Sequence, residues 1–305
     1  NMMNIPFTKY NTLGLLISSI ILLVSITSIF FKGLNYGLDF TGGVSIEIKY
    51  KERADLERIR NSISKIEDAN FLVLNFGSDE NVLIKFQSDE ELNINADTVI
   101  NILDDDDYLG EVVKSETIFP QIGEELRDKG GIAVLVAIFA ILIYIIFRFQ
   151  IKFGYGAIAA LIHDVVIILG VFSIFNLNFD LSVLAAILAI VGYSLNDSIV
   201  VSDRIRENFL DPNSKGSPDV LINKSLNQVF ARTIITSFTT LLVLMALLFA
   251  GGAALYNFSL ALSLGVVIGS YSSIVIVVGV LLKLNLSNKD MEKPKNEPEE
   301  SYSLD

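Results

Sequence analysis

The chain has 305 residues, 51% of them hydrophobic, and a mean hydropathy of +0.53, which is high for a soluble protein. It has no cysteine and one histidine, so disulfides, thiolate metal sites and a histidine zinc cluster are excluded, and a metalloenzyme is not expected. The formal charge is −12, and the segment from Lys32 to Lys129 holds 22 acidic against 11 basic residues, which argues against nucleic acid or an anionic lipid surface as its partner.

Several apolar runs come close to the roughly twenty residues that a helix needs to cross a bilayer. They predict a polytopic α-helical membrane protein with six transmembrane helices. The first run covers residues 13–31, after a short N-terminal segment (1–12). Its length, and the charged residue Lys32 that follows it, favour an uncleaved membrane helix over a signal peptide. The five later spans are predicted at residues 130–148, 154–175, 181–203, 232–250 and 258–283.

Between the first and second spans, residues 32–129 are predicted to form a separate folded domain. After the glycine-rich GLDFTGG (37–43), apolar residues alternate with polar ones as in a half-buried strand. Helix and strand patterns then alternate, and GSDE indicates a hairpin. The elements are a strand at 44–50, a helix at 52–66, strands at 70–76 and 81–87, a helix at 97–103 and a strand at 110–119. This β-α-β-β-α-β order predicts a ferredoxin-like domain.

Three polar segments complete the predicted layout. Residues 204–231 form a loop with one apolar helical face, which indicates an amphipathic helix at the membrane interface. That face consists of Ile222, Leu226, Val229 and Phe230. Residues 284–305 are rich in Lys, Glu, Pro and Asn and predict a disordered tail. The acidic run 104–107 is interpreted as a solvated loop rather than a calcium site, because the EF-hand spacing is absent.

Eight basic residues near the ends of the predicted spans fall on the same side of the membrane. They are Arg148, Lys152, Arg204, Arg206, Lys215, Lys224, Lys283 and Lys289. The turns on the other side, 176–180 and 251–257, contain no Lys or Arg. We therefore expect both termini in the cytoplasm and the acidic domain in the periplasm.

A carboxylate lies inside the fourth predicted span. Asp197 is roughly 24 Å from the start of the run at a helical rise of about 1.5 Å per residue. A charged residue at that depth costs roughly 2.5–3.5 kcal/mol on insertion scales, so it usually faces a bundle interior and serves a function. Its polar neighbours on the helix are Ser194, Asn196 and Ser198, of which the two serines share its face. Asp197 is therefore a candidate ion-coupling residue, with a hydrogen-bonded packing residue as the alternative.

The fifth span begins at Arg232 and carries a polar stripe at helical spacing. The stripe consists of Thr233, Thr236, Ser237 and Thr240. We expect it to pack against the polar face of Asp197, with Arg232 close to the carboxyl group. Desolvation favours a protonated carboxyl group and a nearby guanidinium favours the ionised form, so a change in their separation would load and release a proton. The alternative for Arg232 is a side chain that reaches to the membrane interface.

His163 and Asp164 interrupt the third span. Adjacent residues on a helix point about 100° apart, so at most one of the two faces Asp197. A second titrating group in a proton relay and a hydrogen-bonded structural pair both fit the pattern. An intramembrane aspartyl protease would need Asp164 and Asp197 as facing partners. Arg232 would hold one of them ionised, which argues against that class.

The sixth span carries Gly265, Gly269 and Ser273 at four-residue spacing, which indicates a close-packing helix face. The chain contains no Walker motif, nucleophile elbow or dinucleotide-binding glycine signature. Nucleotide-driven transport would therefore need another subunit, and we do not expect an enzyme.

Four segments resemble the SecF family of protein-export membrane subunits, which belongs to the resistance-nodulation-division superfamily. The segments are GLDFTGG, ALIHDVVIILGVFSIF, VGYSLNDSIVVSDRIREN and ARTIITSFTTLLVLMALLFAGG. The resemblance runs from about Gly37 to Leu282, with the four segments in the family's order. The resemblance implies the six-helix half of a twelve-helix unit, which the helices of SecD would complete.

The resemblance also implies a function in the bacterial inner membrane. The protein would work with SecD beside the SecYEG channel, with YajC as a further partner, after the SecA motor has begun to push a preprotein through. The proton gradient would help to draw the preprotein outward, with H+ as the coupling ion, Na+ left open, and no cofactor. A half-sized exporter of a lipid or small amphiphile from the same superfamily is the alternative, although a single domain of this size leaves little room for a substrate tunnel.

The resemblance assigns roles to particular residues. The family's intramembrane proton-site aspartate falls on Asp197, and its arginine partner falls on Arg232. The glycine-rich motif would link the outer domain to the first helix, and the outer domain would contact the emerging preprotein. The motif residues are Gly37, Asp39, Gly42 and Gly43.

Overall fold

The computed structural model describes residues 5–66, 71–76, 78–87, 96–105, 108, 110–148 and 150–291. In this part of the chain, six helices are long and apolar enough to cross a membrane, which confirms the predicted class. The helical elements, numbered in chain order, are α1 (Phe7–Lys32), α2 (Leu38–Thr41), α3 (Leu56–Ile63), α4 (Ala96–Asp105), α5 (Pro120–Arg148), α6 (Ile151–Ile174), α7 (Leu181–Leu210), α8 (Pro218–Ala250) and α9 (Gly252–Lys283). The six long ones are α1 and α5 to α9.

A sheet domain lies between α1 and α5. Its strands are β2 (Gly43–Lys49), β3 (Phe71–Phe76), β4 (Ser78–Gln87) and β5 (Glu111–Ile118), and they form one sheet in the order β3-β4-β2-β5 with antiparallel neighbours. Alternate residues of β2 and β4 point into a core that α3 and α4 cover. Its fully buried members include Ile46, Ile48, Ile59, Val82, Ile84 and Leu103. Of the acidic run predicted as a solvated loop, Asp104 and Asp105 are exposed but belong to the last turn of α4, and residues 106–107 lie outside the described residues.

The six long helices form an inner and an outer group. We compare the apolar 18-residue stretch of each long helix. In α6, α7 and α9, 56%, 50% and 56% of the residues in that stretch are buried, whereas in α1, α5 and α8 the shares are 17%, 6% and 17%. Small residues allow the inner helices to approach closely: a Cβ atom on Gly265 of α9 would lie 2.3 Å from Ile190 Cγ1 of α7, and one on Gly269 would lie 3.2 Å from Ser194 Cβ. The close-packing face predicted at Gly265 and Gly269 is therefore confirmed.

This contact predicts that Gly265→Ala destabilises the bundle. The added methyl group overlaps Ile190, and overpacking of a tight core typically costs about 1–3 kcal/mol. Unfolding of the purified protein in detergent measures the loss. Ile190→Ala in the same chain should recover part of it, and Gly192→Ala on α7, where no heavy atom lies within 4 Å of the new methyl group, should leave stability nearly unchanged. Equal effects of Gly265→Ala and Gly192→Ala would contradict this packing.

The segment predicted as an interfacial loop helix is instead part of the bundle. Helix α8 runs unbroken from Pro218 to Ala250, so no separate helix precedes the fifth span. Ile222, Leu226 and Val229 are buried against residues such as Val201 and Ile205 of α7. The prediction was wrong here because α7 continues to Leu210, beyond the predicted end of its span, and supplies an apolar partner.

The beginning of the predicted disordered tail is also ordered. Leu286 and Met291 are buried, and residues Asn288–Met291 form a turn of 3-10 helix. Lys152 Nζ contacts Asp290 Oδ2 at 2.8 Å and fixes this turn to the start of α6. The two apolar residues in an otherwise polar segment explain the docking, while residues 292–305 lie outside the described part of the chain.

The sheet domain sits at the end of the bundle where α6 meets α7. The short strand β1 (Asn35–Tyr36), which follows α1, pairs in parallel with β6 (Asn178–Phe179) in the α6–α7 connection. Asn257 Nδ2 of α9 donates to Asp180 Oδ2 at 2.6 Å, which brings the start of α9 to the same end. The two turns without basic residues therefore lie at the domain's end of the bundle.

Candidate functional site

Asp197 lies on α7 in the middle of the bundle. It is 4% exposed, and its Oδ2 atom is buried with no hydrogen-bond partner among the described residues. The groups that act on this carboxyl group are the Arg232 guanidinium of α8 and the Ser270 hydroxyl of α9. Leaving a buried polar atom unpaired costs about 1–3 kcal/mol. Asp197 is therefore placed where its charge state matters to the packing of three helices.

Arg232 is near Asp197 but not bonded to it. Its side chain is exposed, and within the described residues no ion pair of 4.0 Å or less joins the two. The structure thus brings the predicted pair within electrostatic range and leaves a gap between them. A pair with this arrangement responds to small helix movements, because Coulomb energy depends on separation and is stronger in a low dielectric.

Hydroxyl groups extend from Asp197 across the α7–α8–α9 contact. Ser237 Oγ and Ser270 Oγ are 2.5 Å apart, and Tyr193 Oη donates to Ser237 Oγ at 3.1 Å. Each serine also lies near a carbonyl oxygen of its own helix, Thr233 O at 2.8 Å from Ser237 and Val266 O at 2.8 Å from Ser270. Ser237 and Ser270 thus each have a carbonyl oxygen on their own helix and a hydroxyl neighbour on another helix within hydrogen-bond distance.

The predicted stripe on α8 only partly faces this site. Thr233 and Ser237 are buried, whereas Thr236 is exposed and donates to its own helix at Arg232 O and Thr233 O, both at 3.0 Å. On α7, Ser198 is 2% exposed and Asn196 is exposed. Burial thus separates Thr233, Ser237 and Ser198, which lie inside the bundle, from Asn196 and Thr236, which face outward.

A second polar cluster surrounds Asp164 on α6, which is 1% exposed. Its Oδ1 atom contacts His163 Nδ1 at 2.9 Å, and its Oδ2 atom accepts from Ser194 Oγ at 2.5 Å and Ser272 Oγ at 2.8 Å. Both carboxyl oxygens are thus engaged. Ser194, which was expected to support Asp197, belongs to this cluster instead and joins it to α7 one helical turn before Asp197.

His163 lies within the same cluster and is 3% exposed. Its ring stacks on Tyr271 with 6.4 Å between centroids, and its Nε2 atom is buried without a hydrogen-bond partner among the described residues. No hydrogen bond joins Asp164 and Asp197 among the described residues, and the Asp164 oxygens contact His163, Ser194 and Ser272. The geometry is not that of an aspartyl protease dyad.

Several polar partners of these clusters were not predicted. Ser270, Tyr271 and Ser272 form a consecutive polar run in the sixth span, and Tyr193 precedes Ser194 in the fourth. The sequence shows these residues as the run SYSS (270–273). Only Ser273 of this run was interpreted, as a packing residue.

The glycine-rich motif lies away from Asp197, at the domain's end of the bundle. Gly42 and Gly43 have φ values of 74° and 140°, which favour glycine, and a Cβ atom on Gly43 would lie 2.0 Å from Phe86 O. Asp39 Oδ2 accepts from Leu181 N at 3.0 Å, at the first residue of α7. The motif therefore contacts the helix of Asp197 as well as following the first helix.

Comparison with known proteins places this arrangement in a family. Residues 99–287 match the C-terminal region of the SecD/SecF protein export membrane proteins, and residues 27–52 match the SecD/SecF GG motif. The chain is 44% identical to the protein translocase subunit SecF of Pseudomonas aeruginosa, over 96% of this chain and 97% of that protein. It is 37% identical to the SecF subunit of Desulfurispirillum indicum, over 97% of each.

A solved structure shows the same architecture. The crystal structure of SecDF, a translocon-associated membrane protein from Thermus thermophilus, superposes with a TM-score of 0.78 at 37% identity. The match covers 91% of this chain and 38% of that longer chain. The motifs, the six long helices and these relatives agree, and the chain belongs to the SecD/SecF family of protein export membrane proteins as a SecF-type member.

Proposed function

We propose that this protein is an accessory subunit of Sec preprotein translocation that uses the proton gradient through Asp197. The observation that carries the proposal is the Asp197 carboxyl group, which is buried in the bundle, has one oxygen unpaired and lies across a gap from Arg232. Its relatives are named protein translocase subunits, which supplies the process in which the site acts.

The proposed step is a change of charge on Asp197. When the carboxyl group is ionised, Arg232 and the Ser270 hydroxyl attract it, and when it is protonated the attraction to Arg232 is lost. The relative positions of α7 and α8 would differ between the two states. Moving one charge across 100 mV supplies about 2.3 kcal/mol, which is enough to drive such a shift. His163 and Asp164 are proposed as a relay or as a support joined to α7 through Ser194.

We propose SecD as the partner that covers the outer helices. In the apolar 18-residue stretches of α5 and α8, only 6% and 17% of the residues are buried within this chain. The Arg232 side chain is exposed on α8. A second six-helix half packed there would shield the site from lipid and water. The structural relative is a SecDF chain in which this chain corresponds to 38% of the length, which agrees with a two-half unit.

The placement in the cell follows from the same features. We propose that both termini are cytoplasmic and that the sheet domain is periplasmic, where it would meet the preprotein emerging from SecYEG. The support is that the turns without Lys or Arg lie at the domain's end of the bundle. We also assign the domain to the ferredoxin-like type, because its element order is β-α-β-β-α-β and its all-antiparallel sheet places the first strand, β2, between the third and the fourth.

Depletion of the protein in its own cells tests the proposal. We expect unprocessed secretory precursors to accumulate severalfold, because the last stage of export slows. Pulse-labelled precursor and mature protein are compared before and after depletion, with a plasmid copy of the wild-type chain as the control that restores processing. Unchanged precursor levels together with a build-up of lipid or drug would favour the half-sized exporter.

A further inference from the structure

The loop with the paired glycines is attached to the first turn of the helix that carries Asp197. The backbone N–H of Leu181 is one of the amide groups that a helix leaves unpaired at its start, and it donates to Asp39 Oδ2 at 3.0 Å. The N–H of Val183 donates to Asp180 Oδ1 of the helix's own N-cap at 3.1 Å. The first turn of α7 is thus held by two carboxylates, one of which comes from 142 residues earlier in the chain.

Backbone pairing reinforces this attachment. Asn35 and Tyr36 pair in parallel with Asn178 and Phe179, and Gly37 N donates to Phe179 O at 2.9 Å. Asn35 Nδ2 also donates to Asn178 Oδ1 at 3.2 Å. The segment therefore follows the α6–α7 connection residue by residue until Asp39 reaches the helix.

An aromatic cluster fills the space beneath the pairing. Phe40 is 4% exposed, and its ring stacks on Phe179 with 5.9 Å between centroids. Phe172 of α6 packs edge-on against Phe179 at 6.5 Å. Phe40 belongs to the same buried cluster as Val183 of α7, although it is followed within three residues by the first strand of the sheet domain.

The other side of the segment is fixed to the sheet domain. Gly43 begins β2 and pairs with Gln87 and Ile118 on the two neighbouring strands. A Cβ atom on Gly123 of α5 would lie 2.9 Å from Gly42 N, so the backbone of α5 is in direct contact with the glycine pair. The backbone between the Asp39 contact and β2 is therefore fixed at both ends.

We infer that residues Asn35–Gly43 form a rigid joint and that Asp39 is a positioning residue, which couples movements of α7 to the sheet domain. Between Leu181 and Asp197 the chain is one unbroken helix, about 24 Å long at 1.5 Å per residue. A shift of α7 caused by a charge change at Asp197 would move its first turn, and the joint would transmit that shift to the domain. This inference rests on the proposed function, since it connects the proton step to the part of the protein proposed to meet the preprotein.

A disulfide across the joint tests whether it is rigid. The chain has no cysteine, so Asn35→Cys with Asn178→Cys introduces one pair at positions that are Cα partners in the parallel ladder. Neighbouring strands lie about 4.8 Å apart, within the range that a disulfide spans. We expect oxidation to leave export unchanged. Loss of export on oxidation that returns on reduction would show that the joint opens during the cycle, and would overturn the inference.

Substitution of Asp39 tests whether its carboxylate is the connection. We expect Asp39→Ala to lose at least fivefold in the gradient-driven part of export, with gradient-independent export and protein abundance unchanged. Asp39→Asn should retain most of the activity, because its amide oxygen can still accept the Leu181 N–H. The matched control is Asp55→Ala: Asp55 Oδ1 accepts from Glu57 N at 3.0 Å and Arg58 N at 3.1 Å inside the sheet domain, away from α7.

The outcomes separate this inference from the proposed function. Loss of gradient-driven export in Asp197→Asn but not in Asp39→Ala would refute the role of the joint and leave the proposed function standing. Retention of gradient-driven export in Asp197→Asn would refute the proposed function. If Asp39→Ala does not accumulate, Asp39→Asn and the disulfide pair still decide the question, and equal losses in Asp39→Ala and Asp55→Ala would reduce Asp39 to a structural cap.

Discussion

Replacing Asp197 with asparagine is expected to abolish the gradient-driven part of preprotein export while the protein remains inserted and folded. Asparagine has nearly the same size and fits the buried position, but it cannot take up or release a proton. The loss should be tenfold or greater, because the substitution removes the titrating group itself. Pulse-labelling in cells that depend on the variant measures export, and immunoblotting of the membrane fraction measures abundance.

Two further variants define this result. Arg232→Met should show the same loss, since it keeps an aliphatic stem at the position and removes the charge that acts on Asp197. The control is Asp219→Asn, which makes the same change to an exposed carboxyl group in the first turn of α8. Normal secretion in both Asp197→Asn and Arg232→Met would show that this pair takes no part in export.

Gly43→Ala is expected to prevent the sheet domain from folding against the bundle. The new methyl group would lie 2.0 Å from the backbone oxygen of Phe86 and 2.7 Å from Leu38 Cδ2, and the φ angle of 140° is strained for any residue with a Cβ atom. A backbone oxygen in a paired strand cannot move aside without breaking the sheet. We expect a loss of more than about 4 kcal/mol, in the range reserved for the severest single substitutions.

Two other glycines separate the causes of this effect. Gly33→Ala has a φ angle of 73° but no heavy atom within 4 Å, so it should show the strain alone, about 1–2 kcal/mol. Gly131→Ala in α5 has neither strain nor a contact and should be neutral or slightly stabilising. Thermal unfolding in detergent and protease resistance of the domain give the ranking, and a Gly43→Ala protein as stable as Gly33→Ala would contradict the described contact.

The class of the protein and the order of elements in its domain followed from local patterns. Hydrophobic runs of helical length gave the six long helices, and alternation in 44–50 gave β2, because these signals depend only on a helix or strand burying one face. The ends of the helices were less predictable. Helix α7 passes Asp203 and α8 begins at Pro218, since Ile205 and Ile222 belong to one buried cluster that continues the bundle beyond the apolar runs.

From the sequence, the polar face of each helix could be predicted, but not the residues that this face contacts on other helices. Spacing along one helix places Ser194 and Asp197 on the same side. Which neighbouring helix each residue meets depends on the crossing of the helices, and Ser194 turned out to donate to Asp164. The same reason explains why Ser270 was missed and why Asp39 was expected only to link the domain to the first helix.

The most direct measurement uses a preprotein arrested partway through the membrane. Membrane vesicles containing the wild-type or Asp197→Asn protein are allowed to begin translocation with ATP, the ATP is removed, and a proton gradient is imposed. Completion of translocation is then measured by protease protection of the preprotein. The proposed function predicts completion with the wild-type protein and none above the no-gradient level with Asp197→Asn. Equal completion with both proteins would contradict proton coupling through Asp197.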